Sequence, residues 1–400
     1  MTIISNTLSK QPIQLRPYGL STYETAQDAI AAYEGDDHIY ALYPRKIERA
    51  ARTFVTGFPG HVLFAVKANP HPSLLQILWN EGVRRFDVAS LREIDLLQDL
   101  FPHAHLFLMN PVKSRRTIAE AYAKGVRDFA FDHRDELDKI LACTGQATDL
   151  NLHLRLALPK NDTVMPLNGK YGAALDTARL LLQAARNVAS NLGICFHVGS
   201  QCLETINYET AIEYARRVVD IAAVEIDCLD VGGGFPVTYP DMPIAPMGDY
   251  FSTIRTSLAA HGFGSIEVLG EPGRALCAAG GATLTRVELR KGSDLYLNDG
   301  TFGSLFDAGQ FGWKFPVKLH RQHRRVAASE MEAFRFFGPT CDSADVMAGP
   351  FHLPADVREG DWIEVAQIGA YGQALATQFN GFYSTHTVAI LDDKGGDQDG

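Results

Sequence analysis

From residue 62 onward the chain alternates, eight times over, a short apolar run with a longer segment patterned for a helix. The runs are VLFAVKA (62–68), RRFDVAS (84–90), HLFLMN (105–110), DFAFD (128–132), LNLHLRLAL (150–158), ICFHVGS (194–200), LDVGGGF (229–235) and IEVLGEP (266–272). Between them, segments such as LREIDLLQDL, TIAEAYAKG and YETAIEYARRVVDIAA repeat apolar residues at three and four, the spacing that gathers them on one helical face. Strands apolar along most of their length are buried on both faces, and a helix between successive strands implies parallel pairing. The expected fold is α/β, a parallel (β/α)8 barrel of the TIM type over residues 40–275. A doubly wound open sheet shares the local pattern and is the alternative, because the pattern alone does not close the sheet.

Near residue 275 the texture changes. TLTRVELR, LYLNDG, WIEVAQIG and HTVAIL read as strands and helical periods become few, so a C-terminal all-β domain is expected over 276–400. Residues 1–39 are expected to add to it, since IYALY (39–43) precedes the first helix. Residues 390–400 end in the polar, glycine-rich DDKGGDQDG and are expected to form a flexible tail.

A formal charge of −10 argues against nucleic acid or an anionic membrane as the main partner. The opening MTIISNTLSKQPIQ has no basic stretch followed by an apolar one, and no apolar run is long enough to cross a bilayer. Six scattered cysteines (143, 195, 202, 228, 277, 341) without a CxxC pair suit reduced thiols in a cytoplasmic protein. No metal site is expected: His103 with His105, and His320 with His323, lack an acidic partner at ligand spacing and read as surface or loop histidines.

In such barrels the chemistry gathers at the C-terminal strand ends, with phosphate held after strands seven and eight. Those ends carry Lys67, Asp87, Asn110, Asp132, Arg155, His197 to Ser200, Gly232-Gly233-Gly234, and Glu271-Pro272-Gly273-Arg274 in strand order. Triple glycine leaves backbone N–H groups bare for an anion, and the Arg274 guanidinium suits a phosphate dianion. Glycines also make turns, and an arginine also pairs in solvent, but both fall where a phosphate would sit. Lys67 is either a lysine reaching water or an amine at a pocket mouth. A lysine beside a phosphate site points to pyridoxal 5'-phosphate, which needs an imine-forming amine, a phosphate anchor and an acid for its ring nitrogen. Glu271 is the candidate acid. His197 is either a core histidine or a ring that stacks on the cofactor.

Taken together, AVKAN (65–69), FDVAS (86–90), FHVGSQ (196–201), LDVGGGFP (229–236), EPGR (271–274), DG (299–300), GPTCDSAD (338–345) and GAYG (369–372) resemble one family. It is that of the fold-type III pyridoxal-phosphate decarboxylases, the ornithine and diaminopimelate decarboxylase group, built from an alanine racemase-like barrel and a β-domain. The resemblance spans about residues 40–385 in the same order. It implies that Lys67 holds the cofactor imine, Glu271 meets the ring nitrogen and His197 stacks on the ring. Ser200, Gly233, Gly234, Arg274 and Tyr371 would bind the phosphate. Asp87 and Glu93 match positions near the cofactor lysine, where they either tune its pKa or, for Glu93, serve as a first-turn helix acid. Arg155, at the fifth strand end, is counted with the cofactor-binding residues.

The resemblance further implies a head-to-tail homodimer in which the partner's Cys341 delivers a proton to Cα and the partner's Asp342 binds the distal amine. Without the resemblance, Cys341 would read as a small buried hydrophobe. Lys170 would pair across the interface with Asp345. Aspartate in CDS resembles the branch that takes ornithine, lysine and arginine, whereas diaminopimelate enzymes usually carry glutamate there. A carboxylate facing the far end of the substrate favours cationic amino acids. The ornithine enzymes have a second aspartate about a dozen residues after DG, and this chain has Gln310-Phe311 at the matching place. Asp307 either substitutes for it or is a surface turn residue, and Phe311 and Trp313 would fill the space. The expected reaction is decarboxylation of a basic amino acid, L-ornithine to putrescine first, lysine second, a bulkier or modified diamino acid, diaminopimelate included, after them. A racemase would need a tyrosine on the opposite ring face. A non-catalytic homologue acting as a binding protein would have lost cofactor residues that this chain retains.

Overall fold

The computed structural model describes residues 13–14, 19–159, 169–322 and 330–392. The chain divides into two compact units: Ile47–Ala278, and Met1–Lys46 together with Ala279–Gly400.

In the first unit the strands His61–Ala65, Arg85–Val88, His105–Leu108, Asp128–Phe131, Asn151–Arg155, Asn191–Cys195, Cys228–Asp230 and Glu267–Gly270 form one closed parallel barrel. The eighth strand pairs back on the first, Leu269 with His61 and Gly270 with Val62, which excludes the open doubly wound sheet. Leu63, Phe107, Met109, Ala130, Cys195, Cys228 and Leu269 pack as one buried cluster of the barrel strands. Caps set where the outer helices begin. Ser90 Oγ accepts from the Glu93 N–H and Ser114 Oγ from the Thr117 N–H, satisfying donors that the helix leaves open. The sixth strand begins and ends earlier than the run 194–200 suggested. Gly199 at φ 107° and Gln201 at φ 55° turn the chain out of the ladder, so HVGS is a loop.

The second unit is a ten-stranded sheet. Its main order is Ile13–Gln14, Ser21–Tyr23, Thr387–Ile390, Ile39–Leu42, Gly281–Lys291, Asp294–Leu297, Met331–Phe337 and Val346–Pro354. Trp362–Ala366 also pairs with Gly281–Lys291 and carries Val317–His320 on its other side. Ile39, Ala41, Leu284, Trp362 and Val388 are central to its core. Ile39–Leu42 lies between Thr387–Ile390 and Gly281–Lys291, so residues 40–46 group with the sheet and 276–278 with the barrel. Ile390 closes the last strand, and residues 393–400 of the expected tail lie outside the described residues. Among the described residues no helix is long and apolar enough to cross a membrane.

Candidate active site at the barrel strand ends

Lys67 does not stand on the first strand but just beyond it. The strand ends at Ala65, and Val66–Ala68 form a single 3-10 turn before Pro70 and Pro72 set the next helix apart. Val66 and Ala68 are fully buried, whereas the Lys67 side chain is 49% exposed. Its Nζ lies 3.0 Å from Asp87 Oδ2, on a carboxylate only 5% exposed, and register explains the meeting because Ala65 pairs with Asp87. A half-exposed amine at the strand ends, aimed by a buried carboxylate, is positioned to react with a carbonyl. Glu93 takes the helix role: its Oε2 accepts the Ala89 N–H at 2.6 Å while Ser90 caps Glu93. Burial raises its pKa.

The eighth strand leads directly to Glu271, whose N–H donates to Gly232 O at 2.7 Å. Glu271 is 4% exposed and its Oε1 has no hydrogen-bond partner. Asp230, ending the seventh strand, is fully buried; Oδ1 accepts the Gly232 N–H at 2.8 Å and Oδ2 has no partner. Burial pushes Glu271 well above the usual carboxyl range and the Asp230 and Asp87 carboxylates add to it, with Lys67 and Arg155 opposing. Burial raises Asp230 as well. Two carboxyls sharing a dry site do not both ionise, so the pair titrates as a unit and holds a proton between them. His197 Nδ1 accepts the Gly199 N–H at 3.0 Å, which leaves the ring proton on Nε2. Burial, then Arg155 and Lys67, hold this histidine well below its ordinary pKa, so it is neutral. Arg155, at the end of the fifth strand, is thus an electrostatic neighbour of both His197 and Glu271.

The triple glycine is a cradle. A Cβ on Gly232 would lie 1.9 Å from Phe196 O, one on Gly233 2.7 Å from Glu271 O and 3.1 Å from His197 Nε2, and one on Gly234 2.4 Å from Gly199 O. No side chain fits at any of the three. Tyr208 OH donates to Gly233 O at 3.0 Å and the Cys202 N–H to Gly234 O at 2.9 Å, turning these carbonyls into the protein. The N–H groups of Gly233 and Gly234 have no acceptor among the described residues. Arg274 opens the short helix after EPG, is 5% exposed, and donates from Nη1 to Tyr239 OH at 3.0 Å. The Ala65 N–H donates to Pro272 O at 3.3 Å, tying this turn to that of Lys67. The buried unpartnered acid, the bare N–H pair and the aimed amine fit the ring nitrogen, phosphate and aldehyde of pyridoxal phosphate.

In the second unit Cys341 is exposed, in contrast to the buried Cys195, Cys202, Cys228 and Cys277, so it is not a core hydrophobe. Its N–H donates to Asn380 Oδ1 at 3.1 Å, and the exposed Asp342 accepts the Ala344 N–H at 2.8 Å. Asp345, expected at an interface with Lys170, is 2% exposed within its own unit. Oδ1 accepts the Thr301 N–H at 2.8 Å, and Oδ2 the Thr340 N–H and hydroxyl at 3.0 and 2.7 Å. Lys170 is exposed with Nζ 5.0 Å from the Tyr171 ring centre. Asp307 is 7% exposed in the helix Phe306–Gln310, which corrects the reading as a surface turn residue. Trp313 belongs to the core and Phe311 is 43% exposed, so only the phenylalanine is presented. Tyr371, at φ 61°, is half-buried.

His103 and His105 are exposed, and His105 Nε2 meets Asp128 Oδ2 at 2.8 Å. The reading of His320 as a surface or loop residue is corrected: it is a buried strand residue whose Nε2 meets Glu364 Oε2 at 2.8 Å. His323 lies outside the described residues, and among those no group of three ligating side chains could hold a metal. Four site residues escaped the sequence reading. Gln201 and Asp230 sit inside stretches noted for their neighbours, whereas Tyr208 and Tyr239 read as ordinary aromatics.

The family "Pyridoxal-dependent decarboxylase, pyridoxal binding domain" matches residues 44–278, and "Pyridoxal-dependent decarboxylase, C-terminal sheet domain" matches 218–369. The lysine/ornithine decarboxylase of Selenomonas ruminantium is 34% identical, over 83% of this chain and 84% of that one. Antizyme inhibitor 2 of Xenopus laevis is 31% identical over 80% and 73%. The crystal structure of the Paramecium bursaria Chlorella virus arginine decarboxylase superposes with a TM-score of 0.80 at 25% identity, covering 91% and 98%.

Proposed function

The chain belongs to the pyridoxal-dependent decarboxylases and uses pyridoxal phosphate, and on that premise we propose that it decarboxylates a basic amino acid, L-ornithine to putrescine first. The observation that carries the substrate reading is the Cys341–Asp342 pair, an exposed thiol and an exposed carboxylate held side by side on one turn. The carboxylate attracts a cationic distal group and repels an acidic one.

When bound, pyridoxal phosphate supplies an electron sink for the pair released at Cα. Lys67 attaches the cofactor, with Asp87 aiming its Nζ. Gly233, Gly234, Ser200 and Arg274 would hold the phosphate, and His197, whose Nε2 lies against Gly233, would stack on the ring. Glu271, with Oε1 unpartnered, would meet the ring nitrogen, while the Arg155 cation opposes the burial that favours its neutral form. The partner's Cys341 Sγ–H gives a proton to Cα, which requires a homodimer. Phe379, Phe382 and Tyr383, 42%, 45% and 43% exposed beside Asn380, form an apolar rim suited to a second copy. Lys170 and Asp345 belong to the same interface in this reading, as does a cytoplasmic location.

Phe311 favours a second reading. An exposed phenyl where a second carboxylate is expected weakens discrimination for a short, strongly cationic chain and suits lysine or a bulkier diamino acid. The test is carbon dioxide release from ornithine, lysine, arginine and meso-diaminopimelate with cofactor present. Release from ornithine above the others supports the first reading, and lysine above ornithine the second. Silence on all four with cofactor bound removes both.

A further inference from the structure

We infer that Tyr239 is a positioning residue for Arg274 and thereby sets the preference of this site for the phosphorylated cofactor over its dephosphorylated form. This rests on the assignment of Arg274 to the phosphate made above.

The loop after the seventh strand leaves the glycine cradle at Phe235 and returns at Tyr239, which is 2% exposed. Two fasteners hold it. Fully buried Gln201, from the strand-six loop, accepts the Val237 N–H at 3.2 Å and donates its amide to Val237 O. Two residues on, the Met242 N–H donates to Tyr239 O at 2.9 Å across a tight turn with Asp241 at φ 65°. The phenol is therefore presented from a fixed backbone, with its ring centre 5.9 Å from the Arg274 guanidinium carbon and its oxygen 3.0 Å from Nη1.

An arginine side chain loses considerable rotamer freedom when it is held in one fork geometry, so an anchor that orders it beforehand strengthens whatever the fork binds. The chemistry of the anchor matters. A phenol accepts the guanidinium N–H without neutralising it, so this contact fixes the direction of Arg274 without itself cancelling its charge. A carboxylate in the same place would fix the direction and cancel the charge. Strand seven thus supplies the bare N–H groups of Gly233 and Gly234 and, through Tyr239, the orientation of the cation on the strand-eight side.

The test is spectroscopic titration of the full chain, freed of cofactor, with pyridoxal phosphate and separately with pyridoxal. Tyr239→Phe keeps the ring and removes the oxygen. It is expected to weaken pyridoxal phosphate about tenfold, the order of one hydrogen bond to a charged group, with pyridoxal unchanged within about twofold. Arg274→Gln is expected to lose more of the same preference, and Tyr239→Phe placed on Arg274→Gln to lose nothing further. If Arg274→Gln leaves the preference intact, the phosphate assignment fails. If Arg274→Gln abolishes it while Tyr239→Phe does not change it, or weakens both ligands equally, the role of Tyr239 is overturned.

Discussion

The barrel mouth and the turn at 338–345 both present reactive side chains, but on opposite terms. At the mouth nearly every reactive group is enclosed: Asp87, Asp230, Glu271 and Arg274 are each less than 6% exposed. Asp87 and Arg274 meet residues from neighbouring strand ends, and Glu271 and His197 are driven far from their ordinary pKa values. On the turn the order reverses. Asp345 is buried and organises the backbone, whereas Cys341 and Asp342 are exposed side chains on the turn. A cofactor is bound once and held, so its site gains from being finished within one chain. A substrate has to enter and leave, so groups that touch it stay at a surface until something closes over them.

The largest effect that would break this contrast is at Lys67. Lys67→Ala is expected to abolish covalent cofactor attachment and cut turnover by at least about a thousandfold, read as loss of the cofactor's absorbance on the protein and of carbon dioxide release. Full turnover with attached cofactor would place the amine elsewhere. Next comes the cradle. Gly233→Ala puts a methyl 2.7 Å from Glu271 O. It is expected to destabilise the chain by about 1–3 kcal/mol in denaturant melts and to weaken cofactor binding about a hundredfold. On the turn, Asp342→Asn is expected to raise the KM for the basic substrate by about tenfold or more, with the melting temperature unmoved. A drop in stability there would show that the turn is as tightly built as the mouth.

The smallest effect sharpens the comparison at the other end of the barrel. Asp128 accepts from His105 at 2.8 Å and His153 at 3.0 Å. Burial pushes its carboxyl up, but the two histidines outweigh burial and bring it down to about 2 from 3.8. A lowered carboxyl pKa stabilises the fold above the unfolded value and loses that contribution as pH falls from about 4 to about 2, of order 2 kcal/mol. Asp128→Asn is expected to flatten the acid limb of stability against pH over that window. A limb that stays steep would assign acid sensitivity to other groups. Because this cluster lies at the strand beginnings, the variant should leave cofactor affinity unchanged.

Much of the site could be read from local pattern. Lys67, His197, Gly233, Glu271 and Arg274 follow directly on apolar runs, and the end of a buried strand is where a polar residue is conspicuous. Gln201, Tyr208 and Tyr239 were invisible for the converse reason. Their function is to hold another residue's backbone or side chain across 25 to 36 positions, and nothing in their own neighbourhood announces it. Asp307 allows two readings from pattern, a stand-in carboxylate or a surface turn residue, and its burial, which pattern does not report for an isolated residue, excludes the second.

The sequence by itself determined the period: eight apolar strands with helices between them, and therefore a parallel sheet with its reactive residues at one end. Local chemistry was enough because strand burial and helix amphipathicity are written in runs of a few residues. Closure of the barrel, the pairing of Leu269 with His61, the meeting of Asp230 with Glu271 and the fastening of Arg274 to Tyr239 were decided only in three dimensions. Each joins residues that share no local period, and their proximity follows from how the whole chain packs.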